Sequence, residues 1–545
     1  MDKQLKHFCS IVILLLASNI CWSQPPQFSL VHLDKPFYVS GEMVNYQIYF
    51  PKELQDRQLT LEVLIYHQTG SVLHQSYLKK ERGNNANGYY KLPYELSSGL
   101  YRLVTNVREE ASSRRITVAY ASLAVYNPST GVTSSDQKES EITSPPVKNE
   151  FPLDITIQIQ SQSIRPGGLV KLTAMVRDSQ GKPVKSNASV SVIDTGIIAG
   201  GGDPDFRTLY PMPVTLSNTG RLSQYIPVSG YLESGKSSEL LTFYQVDNQR
   251  LYYTTTGDQG NFELQIPEFY GNQRIDYLGQ FSKGEKIHLA GAEPIVSSGS
   301  LPYNEAIGNY LRLAQKRRNI YQLFGTTESV YNYSTPESQD QVVPDQVYQT
   351  ENYPFPDLPT FCKSLSTQLK YMKDKNIGRQ VFKIFDPESR NFYFGTPLFI
   401  VDGQITKDVS YLESLDFSVL DRIEMYYDSQ RLNDYFGFAG FSGVVVITSK
   451  LGNLMVPERK LTQEFTVAGL QPEVIISDIS QSNPAEPDFR PLLLWRPALE
   501  TDNQGKIELS YYQSDDISRF RIEIIAQGED GSYGYGKLEY SSQLP

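Results

Sequence analysis

The feature that most constrains this 545-residue chain is the alternation of apolar runs, turns and glycines in residues 397–450. A short apolar run there is closed by Asp402-Gly403, the strongest two-residue signal for a hairpin turn. Later, three closely spaced glycines precede the β-branched run 444–448, which suits a buried strand. The order predicts strand, turn, short helix, strand, glycine-rich loop and strand, which together make a small α/β unit.

Four segments of this stretch resemble, in order, the plug domain of TonB-dependent outer-membrane transporters. They are PLFIVDG at 397–403, RIEM at 422–425, YFG at 435–437 and GVVVIT at 443–448. A plug normally lies inside a barrel, and 22 strands of about 9–11 residues need more than ~200 residues. Only 95 residues follow residue 450. The resemblance therefore implies an outer-membrane location and a docking role, and we do not expect this chain to transport by itself.

Residues 24–127 are predicted to form one all-β domain. Strand-like runs separated by turns fall at 28–33, 44–50, 59–67, 88–92, 99–107 and 117–126. The opening pattern D-K-x-x-Y-x-x-G-E resembles the start of a macroglobulin-type domain of the α2-macroglobulin superfamily, which is a β-sandwich. Within this pattern Asp34, Lys35 and Glu42 form either a binding site or a structural pairing at the strand ends.

The rest of the chain divides by composition. The predicted segments are a linker (128–152), a second macroglobulin or Ig-like β domain (153–295), a helix (300–325), a second linker (326–352), the plug-like α/β domain (353–450) and a C-terminal β-sandwich (455–545). The last segment carries W-x-P, T-D-x-x-G and F-R-I patterns beginning at Trp495, Thr501 and Phe520, which resemble a late macroglobulin segment. Whether this sandwich pairs with the second domain across the insertion is open at this stage.

We therefore predict a mainly β, multidomain protein. Its fold class is a set of Ig-like or macroglobulin β-sandwiches with an inserted small α/β plug-like domain. The predicted helix carries a basic triplet, which is either a solvated face or an anion site, opposite an apolar face. The triplet is Lys316, Arg317 and Arg318, and the apolar residues are Ile307, Leu311, Ala314, Ile320 and Leu323.

The N-terminus predicts export. Two lysines precede the apolar run 11–17, and Ser23 supplies a small residue before the expected cleavage, which makes residues 1–23 a signal peptide. The alternative is a lipoprotein signal acylated at Cys21. If cleavage follows Ser23, Cys362 is the single cysteine of the mature chain, and the sequence favours a small buried hydrophobe at this position. We expect a periplasmic or peripheral outer-membrane location, or the cell surface.

The sequence predicts no catalytic, cofactor-binding or metal-binding residues, and it identifies no ligand-binding ones. It contains neither G-x-S-x-G, nor H-E-x-x-H, nor a phosphate-binding G-x-x-x-x-G-K-[ST]. The acidic balance, a formal net charge of −11, argues against nucleic acid or anionic lipid as the main partner. Two short turns, 258–261 and 502–505, resemble calcium loops but lack the closing glutamate. Acidic residues are frequent in the α/β unit, at Asp402, Asp416, Asp421, Glu424, Asp428 and Asp434.

Three functions follow as hypotheses, of which we favour the first. It is a non-catalytic accessory protein that docks to an outer-membrane β-barrel complex for transport, secretion or assembly. The second is a macroglobulin-like protease trap without a thioester, since Cys362 is not followed by Gly-Glu-Gln, with residues 325–353 as the candidate bait segment. The third is a nutrient- or glycan-binding accessory of a TonB-dependent transporter, for which the 37 tyrosines and 25 phenylalanines would supply stacking surfaces.

Overall fold

The structure is a computed structural model. It describes residues 28–543 except 84, 111–113, 130–150, 161–162, 199–211, 214–220, 282–283, 297–300, 302, 304, 325–330, 335–341, 376–377 and 477–486. The predicted signal peptide and most of the first predicted linker lie outside the described residues. Within them, no helix combines the length and the apolar character needed to cross a membrane.

Strands dominate the described chain. In its first third they are β1 Phe28–Leu33, β2 Tyr38–Val39, β3 Met43–Tyr49, β4 Leu59–His67, β5 Val72–Lys80, β6 Ala86–Lys91, β7 Gly99–Arg108, β8 Arg115–Tyr126, β9 Asp154–Ile159, β10 Leu169–Arg177 and β11 Ser186–Asp194. The next are β12 Met212–Pro213, β13 Tyr225–Leu232, β14 Leu240–Gln245, β15 Arg250–Thr255, β16 Asn261–Pro267, β17 Asn272–Leu278, β18 Ile287–Leu289, β19 Tyr331–Ser334 and β20 Gln346–Gln349.

The remaining strands are β21 Leu369–Lys373, β22 Gln380–Asp386, β23 Asn391–Phe392, β24 Leu398–Val401, β25 Gln404–Thr406, β26 Leu420–Tyr426, β27 Val444–Ser449, β28 Thr462–Ala468, β29 Glu473–Ile476, β30 Leu492–Glu500, β31 Lys506–Tyr512, β32 Arg519–Gly528 and β33 Tyr533–Ser541. The α-helices are α1 Lys52–Gln55, α2 Thr195–Ile198, α3 Glu305–Phe324, α4 Leu358–Ser364, α5 Val409–Glu413 and α6 Ser429–Arg431.

The first domain is a β-sandwich of two sheets. Their strand orders are β12-β1-β3-β6 and β2-β8-β7-β4-β5. Alternate residues of facing strands fill the core, among them Val44, Tyr46 and Ile48 of β3 against Leu61 and Val63 of β4. Each of these side chains leaves water on folding, which contributes roughly 1.5–3 kcal/mol per residue of this size. All six predicted strands are present within a few residues of their predicted bounds, and the structure adds the short β2 and the longer β5.

The second sandwich is built from two distant parts of the chain. Strands β9–β11 combine with β30–β33 into sheets of order β31-β10-β9 and β30-β11-β32-β33. This arrangement differs from the predicted division into 153–295 and 455–545. The physical reason is the burial of β11, in which Ala188, Val190 and Val192 are fully buried. Both strands that pair with β11 come from the C-terminal part of the chain. Neither part alone has the strands to cover that apolar face.

The chain divides into two compact units. Unit 1 comprises the residues up to 224, 293–334 and 471–545, and unit 2 comprises 225–292 and 335–470. Unit 1 therefore contains both sandwiches, helix α3 and the pair β19-β29. The chain passes four times from one unit to the other.

Unit 2 combines small antiparallel sheets with an α/β element. Its antiparallel sheets have the orders β16-β13-β18 and β15-β14-β17-β28, and β28 comes from the segment predicted to belong to the C-terminal sandwich. The predicted α/β unit is a five-stranded sheet of order β20-β26-β27-β24-β25, in which β24 and β27 run parallel. A separate three-stranded sheet, β21-β22-β23, packs Leu369, Phe382 and Ile384 into the same core.

Candidate docking surface

The predicted pair Lys35 and Glu42 forms a buried ion pair in the first sandwich. Lys35 Nζ donates to Glu42 Oε2 at 2.6 Å, and neither side chain exposes more than a tenth of its surface. Asp34 accepts hydrogen bonds from the hydroxyl of Tyr38 at 2.6 Å and from Asn45 Nδ2 at 2.8 Å. Burial raises the pKa of Asp34 against the opposing effect of Lys35. These groups satisfy one another at a strand end, so the structural interpretation is the one the geometry supports.

Helix α3 completes this network from outside the first domain. The hydroxyl of Tyr310 donates to Glu42 Oε1 at 3.2 Å, and Arg318 Nη2 donates to the carbonyl of Ser40 at 2.5 Å. The Arg318 guanidinium also lies 4.8 Å from the ring centre of Tyr94. Helix α3 therefore packs on the D-K-x-x-Y-x-x-G-E turn. Sequence reasoning did not identify Tyr310 as a hydrogen-bond partner of Glu42.

The buried face of α3 differs from the predicted one. Ile307 and Leu311 are buried as predicted, but Leu323 exposes 83% of its surface. Lys316 is exposed, whereas Arg317 is buried and its charge faces Asp516. The solvated-face interpretation of the basic triplet is therefore right for Lys316 alone. The prediction failed because a helical pattern of apolar residues does not reveal which polar side chains find buried partners.

The acidic residues of the α/β unit have separate local roles. Asp402 accepts from the amide and hydroxyl of Ser449 and from the amide of Leu454, which ties the ends of β24 and β27 together. Asp416 and Asp428 cap short helices by accepting hydrogen bonds from backbone amides. Glu424 forms an ion pair with Arg422. Among the described residues, no group of three or more His, Cys, Asp or Glu is placed to hold a metal ion.

The two calcium-like segments are tight turns, but neither closes the predicted hairpin, because the flanking strands β15 and β16, like β30 and β31, belong to different sheets. Asp502 Oδ1 accepts the amides of Gln504 and Lys506, and Gly505 has a φ of +68°. In the first turn Gln259 has a φ of +56°, in the left-handed region that tight turns use. Cys362 is buried, and burial raises the pKa of its thiol, which makes it an inert small hydrophobe rather than a nucleophile.

The most unusual surface of unit 2 is a group of exposed phenylalanines. Phe394 exposes 94% of its surface, Phe441 60%, and Phe392 and Phe438 41% each. We call these four residues the phenylalanine surface. Phe392 is the last residue of β23, Phe394 lies in the loop between β23 and β24, and Phe438 and Phe441 lie in the loop before β27. Because large apolar side chains are normally buried, this group of exposed ones is a candidate interaction site.

Hydrogen bonds and glycine conformations hold the two loops together. Ser442 Oγ donates to the carbonyl of Phe394 at 2.5 Å, which joins one loop to the other. Tyr253 of β15 donates to the carbonyl of Phe436 and packs its ring 4.5 Å from that of Phe438. Gly443 has a φ of +89°, and a Cβ there would lie 2.5 Å from Ile384. The phenylalanines are thus presented by a well-supported backbone.

Sequence reasoning missed this surface, although a signal for it was present. The segments NFYFGT at 391–396 and YFGFAGFSG at 435–443 alternate aromatic residues with glycines. Glycines that turn the chain at every second or third position leave too little regular structure to bury every ring. The default expectation that phenylalanine belongs to the core concealed this signal.

Comparisons with known proteins give structural likeness without a family. No protein-family model matches the chain, and no curated protein matches it. Similar solved structures include trypsin-activated α2-macroglobulin from Escherichia coli, with 8% identity and a TM-score of 0.25 over 97% of this chain and 42% of that one. Salmonella α2-macroglobulin reacted with methylamine has 10% identity and a TM-score of 0.23, over 96% and 40% of the two chains.

An Escherichia coli adhesin is also similar, with 12% identity and a TM-score of 0.15 over 50% of this chain and 63% of that one. The chain spans about two fifths of the length of the bacterial α2-macroglobulins. Its fold class rests on its own sheets: it is a mainly β, multidomain protein with macroglobulin- or Ig-like β-sandwiches.

Proposed function

We propose that this chain is an exported, non-catalytic interaction protein that docks to an outer-membrane β-barrel complex, with unit 2 providing the contact. The observation that carries the proposal is the phenylalanine surface, a well-supported apolar cluster exposed on the α/β element. An interaction partner that covers it removes about 25 cal/mol of unfavourable hydration for each Å² of apolar area.

We infer the outer-membrane location from the plug-like motif. Three of its four segments lie on β24, β26 and β27, which are neighbours in one sheet. The fourth, at 435–437, leads into the loop that carries Phe438 and Phe441. The motif therefore belongs to one folded element that also bears the exposed surface, and this supports a plug-type module acting at the outer membrane without its own transport activity.

The protease-trap alternative has less support. A bait segment must be open to many proteases, yet two parts of the candidate segment are paired in sheets. Tyr331–Ser334 pairs with Glu473–Ile476, and Gln346–Gln349 pairs with β26. A protease needs an extended, unpaired substrate, so these parts would have to leave their sheets before cleavage.

Gentle detergent extraction of the tagged native protein, followed by mass spectrometry, tests the proposal. We expect an outer-membrane β-barrel protein to co-purify in stoichiometric amount with the complete chain. A matched sample in which unit 2 is blocked by an antibody raised against it should lose the barrel, whereas an antibody against unit 1 should not remove it. A chain recovered alone from membrane extracts under mild conditions would contradict the proposal.

A further inference from the structure

We propose that the free edge of strand β21 binds an extended segment of a protein partner in which acidic and apolar residues alternate. This segment adds to the sheet β21-β22-β23 as one more strand. Strand β22 separates this edge from β23, which carries Phe392, so the site is distinct from the phenylalanine surface. The inference goes beyond the proposed docking role and stands without it.

The backbone of β21 has hydrogen-bonding groups that its own sheet does not use. At one end of the ladder with β22 the amide of Phe385 donates to the carbonyl of Gln368 at 2.9 Å, and at the other end the amide of Asp374 donates to the carbonyl of Arg379 at 2.9 Å. In an antiparallel pair only alternate residues face the neighbouring strand, so the residues between these positions that point to the free edge are fixed. They are Leu369, Tyr371 and Lys373.

Within the described residues, no strand or loop pairs with this edge. The amide of Leu369 donates to Ser366 Oγ at 3.0 Å, and the other outward amides and carbonyls have no hydrogen-bond partner there. Lys373 is exposed, and Tyr371 is half-buried. An edge with unpaired backbone groups is a template for pairing with another chain.

The charge around this edge favours an acidic occupant. Residues 363–383 contain six Lys or Arg and one acidic residue, Asp374, in a chain with 50 Lys or Arg and 61 Asp or Glu. Asp374 is paired with Lys383 at 3.0 Å, and Lys370 Nζ donates to the carbonyl of Ser366 at 2.6 Å. The other four basic side chains are exposed and make no ion pair in the described part of the chain. They are Lys363, Lys373, Lys375 and Arg379.

The carboxylates of this chain near Tyr371 are already engaged. Glu413 accepts a hydrogen bond from the Tyr371 hydroxyl, and Asp357 caps helix α4 by accepting from the amide of Thr360 at 2.7 Å. An acidic strand therefore supplies the counter-charges that these two groups do not, through charge-assisted contacts.

The two faces of the sheet beside this edge differ in polarity. Tyr371 and Lys373 are two residues apart and share a face, where Lys363 of helix α4 brings its Nζ to 5.1 Å from the ring centre of Tyr371. Met372 lies on the opposite face and exposes 38% of its surface. A strand that alternates acidic and apolar residues presents its carboxylates to the two ammonium groups and its apolar side chains to Met372.

The same lysines argue against a second copy of this chain as the occupant. Two β21 edges that paired with each other would bring two sets of exposed lysines together, and like charges in neighbouring strands are destabilising. Lysine on an edge strand is one of the features that prevent such self-association. An acidic strand of another protein satisfies both the backbone groups and the charge.

Binding of synthetic peptides, measured by fluorescence anisotropy, tests this inference. The protein is the chain beginning at Gln24, and the probe is a labelled eight-residue peptide in which glutamate alternates with valine. We expect saturable binding of this peptide and none of a peptide with lysine in place of glutamate. N-methylation of one set of alternate amides should weaken binding at least tenfold, and methylation of the other set should not, because only alternate amides of an added strand face β21.

Variants of the protein separate the backbone from the charge. Lys373→Ala removes the charge, whereas Lys373→Pro also removes an outward amide without taking a bond from the ladder with β22, and it should bind about threefold more weakly than Lys373→Ala. Lys363→Glu with Lys373→Glu should lose the glutamate peptide and gain the lysine peptide. Lys171→Glu with Lys182→Glu, at exposed positions of unit 1, is the matched charge control and should bind like the unaltered chain.

Three results would overturn the inference: no binding of the glutamate peptide, equal losses from the two methylated sets, or equal affinity for a peptide with its four glutamates in one block. The methylated peptides need no altered protein, so they decide the question even where a variant fails to fold. These outcomes do not depend on the barrel contact, because the assay contains no barrel and leaves the phenylalanine surface unchanged.

Discussion

At the scale of single residues, the buried pair Lys35–Glu42 makes a strong prediction. Lys35→Met should lower the free energy of unfolding of unit 1 by about 3–5 kcal/mol, because the Glu42 carboxylate would remain buried without its cation. The double variant Lys35→Met with Glu42→Leu should recover much of that loss. Denaturant unfolding of the unaltered chain, the single variants Lys35→Met and Glu42→Leu and the double variant measures the coupling. Additive losses would show that the two residues do not act as a pair.

His32 predicts a pH dependence of stability. Its ring lies between the two sandwiches of unit 1, with Nδ1 2.5 Å from Ser189 Oγ and its edge toward Trp495, and burial lowers its pKa from 6.5 to about 3. Between these values the unfolded chain binds a proton that the folded chain does not. The free energy of unfolding should therefore fall as the pH decreases from 6.5 toward 3, by at most about 1.4 kcal/mol per pH unit.

His32→Gln removes this titration and should flatten the dependence, measured as the denaturation midpoint across that pH range. The matched control is His67→Gln, because His67 lies at a turn and bonds locally to Thr69. His74, whose pKa burial lowers to about 4, keeps its own smaller contribution in both variants. An unchanged slope in His32→Gln would show that the ring is protonated in the folded chain.

At the scale of elements, the loop before β27 depends on a glycine that no other residue replaces well. Gly443→Ala adds a Cβ 2.5 Å from Ile384 at a φ of +89°. We expect it to destabilise unit 2 by about 3 kcal/mol, from backbone strain and overpacking together. Gly271→Ala, also in unit 2 with a φ of +72° but with nothing within 4 Å of the added Cβ, should cost only about 1–2 kcal/mol. Thermal unfolding of the pair separates the two effects, and equal losses would contradict the described packing.

Local patterns predict local elements well in this chain, and distant pairings poorly. The alternation in β4 and the Asp402-Gly403 turn, with φ values of +45° and +74°, were evident because each is encoded within a few residues. The assembly of the second sandwich was not evident, because β11 pairs with strands roughly 300 residues away or more, and the sequence near β11 does not indicate which strands those are. The exposed phenylalanines were hidden for a different reason: composition favours their burial, and only the fold reveals which rings remain outside.

At the scale of the whole molecule, the discontinuous sandwich can be tested through its register. Lys171 of β10 lies directly opposite Ser510 of β31. Cysteines at these positions are about 5 Å apart between Cα atoms and should form a disulfide, whereas cysteines at 171 and 508 are diagonal neighbours at about 7–8 Å and should not. Non-reducing electrophoresis after mild oxidation shows the cross-link as a mobility change. Equal yields in the two variants would contradict the pairing of the distant segments.

The sandwiches of unit 1 and the insertion in unit 2 suggest a division of labour. Unit 1 joins its distant parts through buried polar contacts such as Tyr49 with Ser189. Unit 2 carries the phenylalanine surface. In the proposed function, unit 2 makes the contact with the partner.

Site-specific photo-cross-linking in the producing cell tests that claim most directly. A photoreactive residue is placed singly at two positions of the phenylalanine surface, Phe394 and Phe441, and at Leu169 and Ile517 of unit 1 as controls. The account predicts adducts with an outer-membrane barrel protein from Phe394 and Phe441, and none from the unit 1 positions. Barrel adducts only from unit 1, or none from any position, would contradict it.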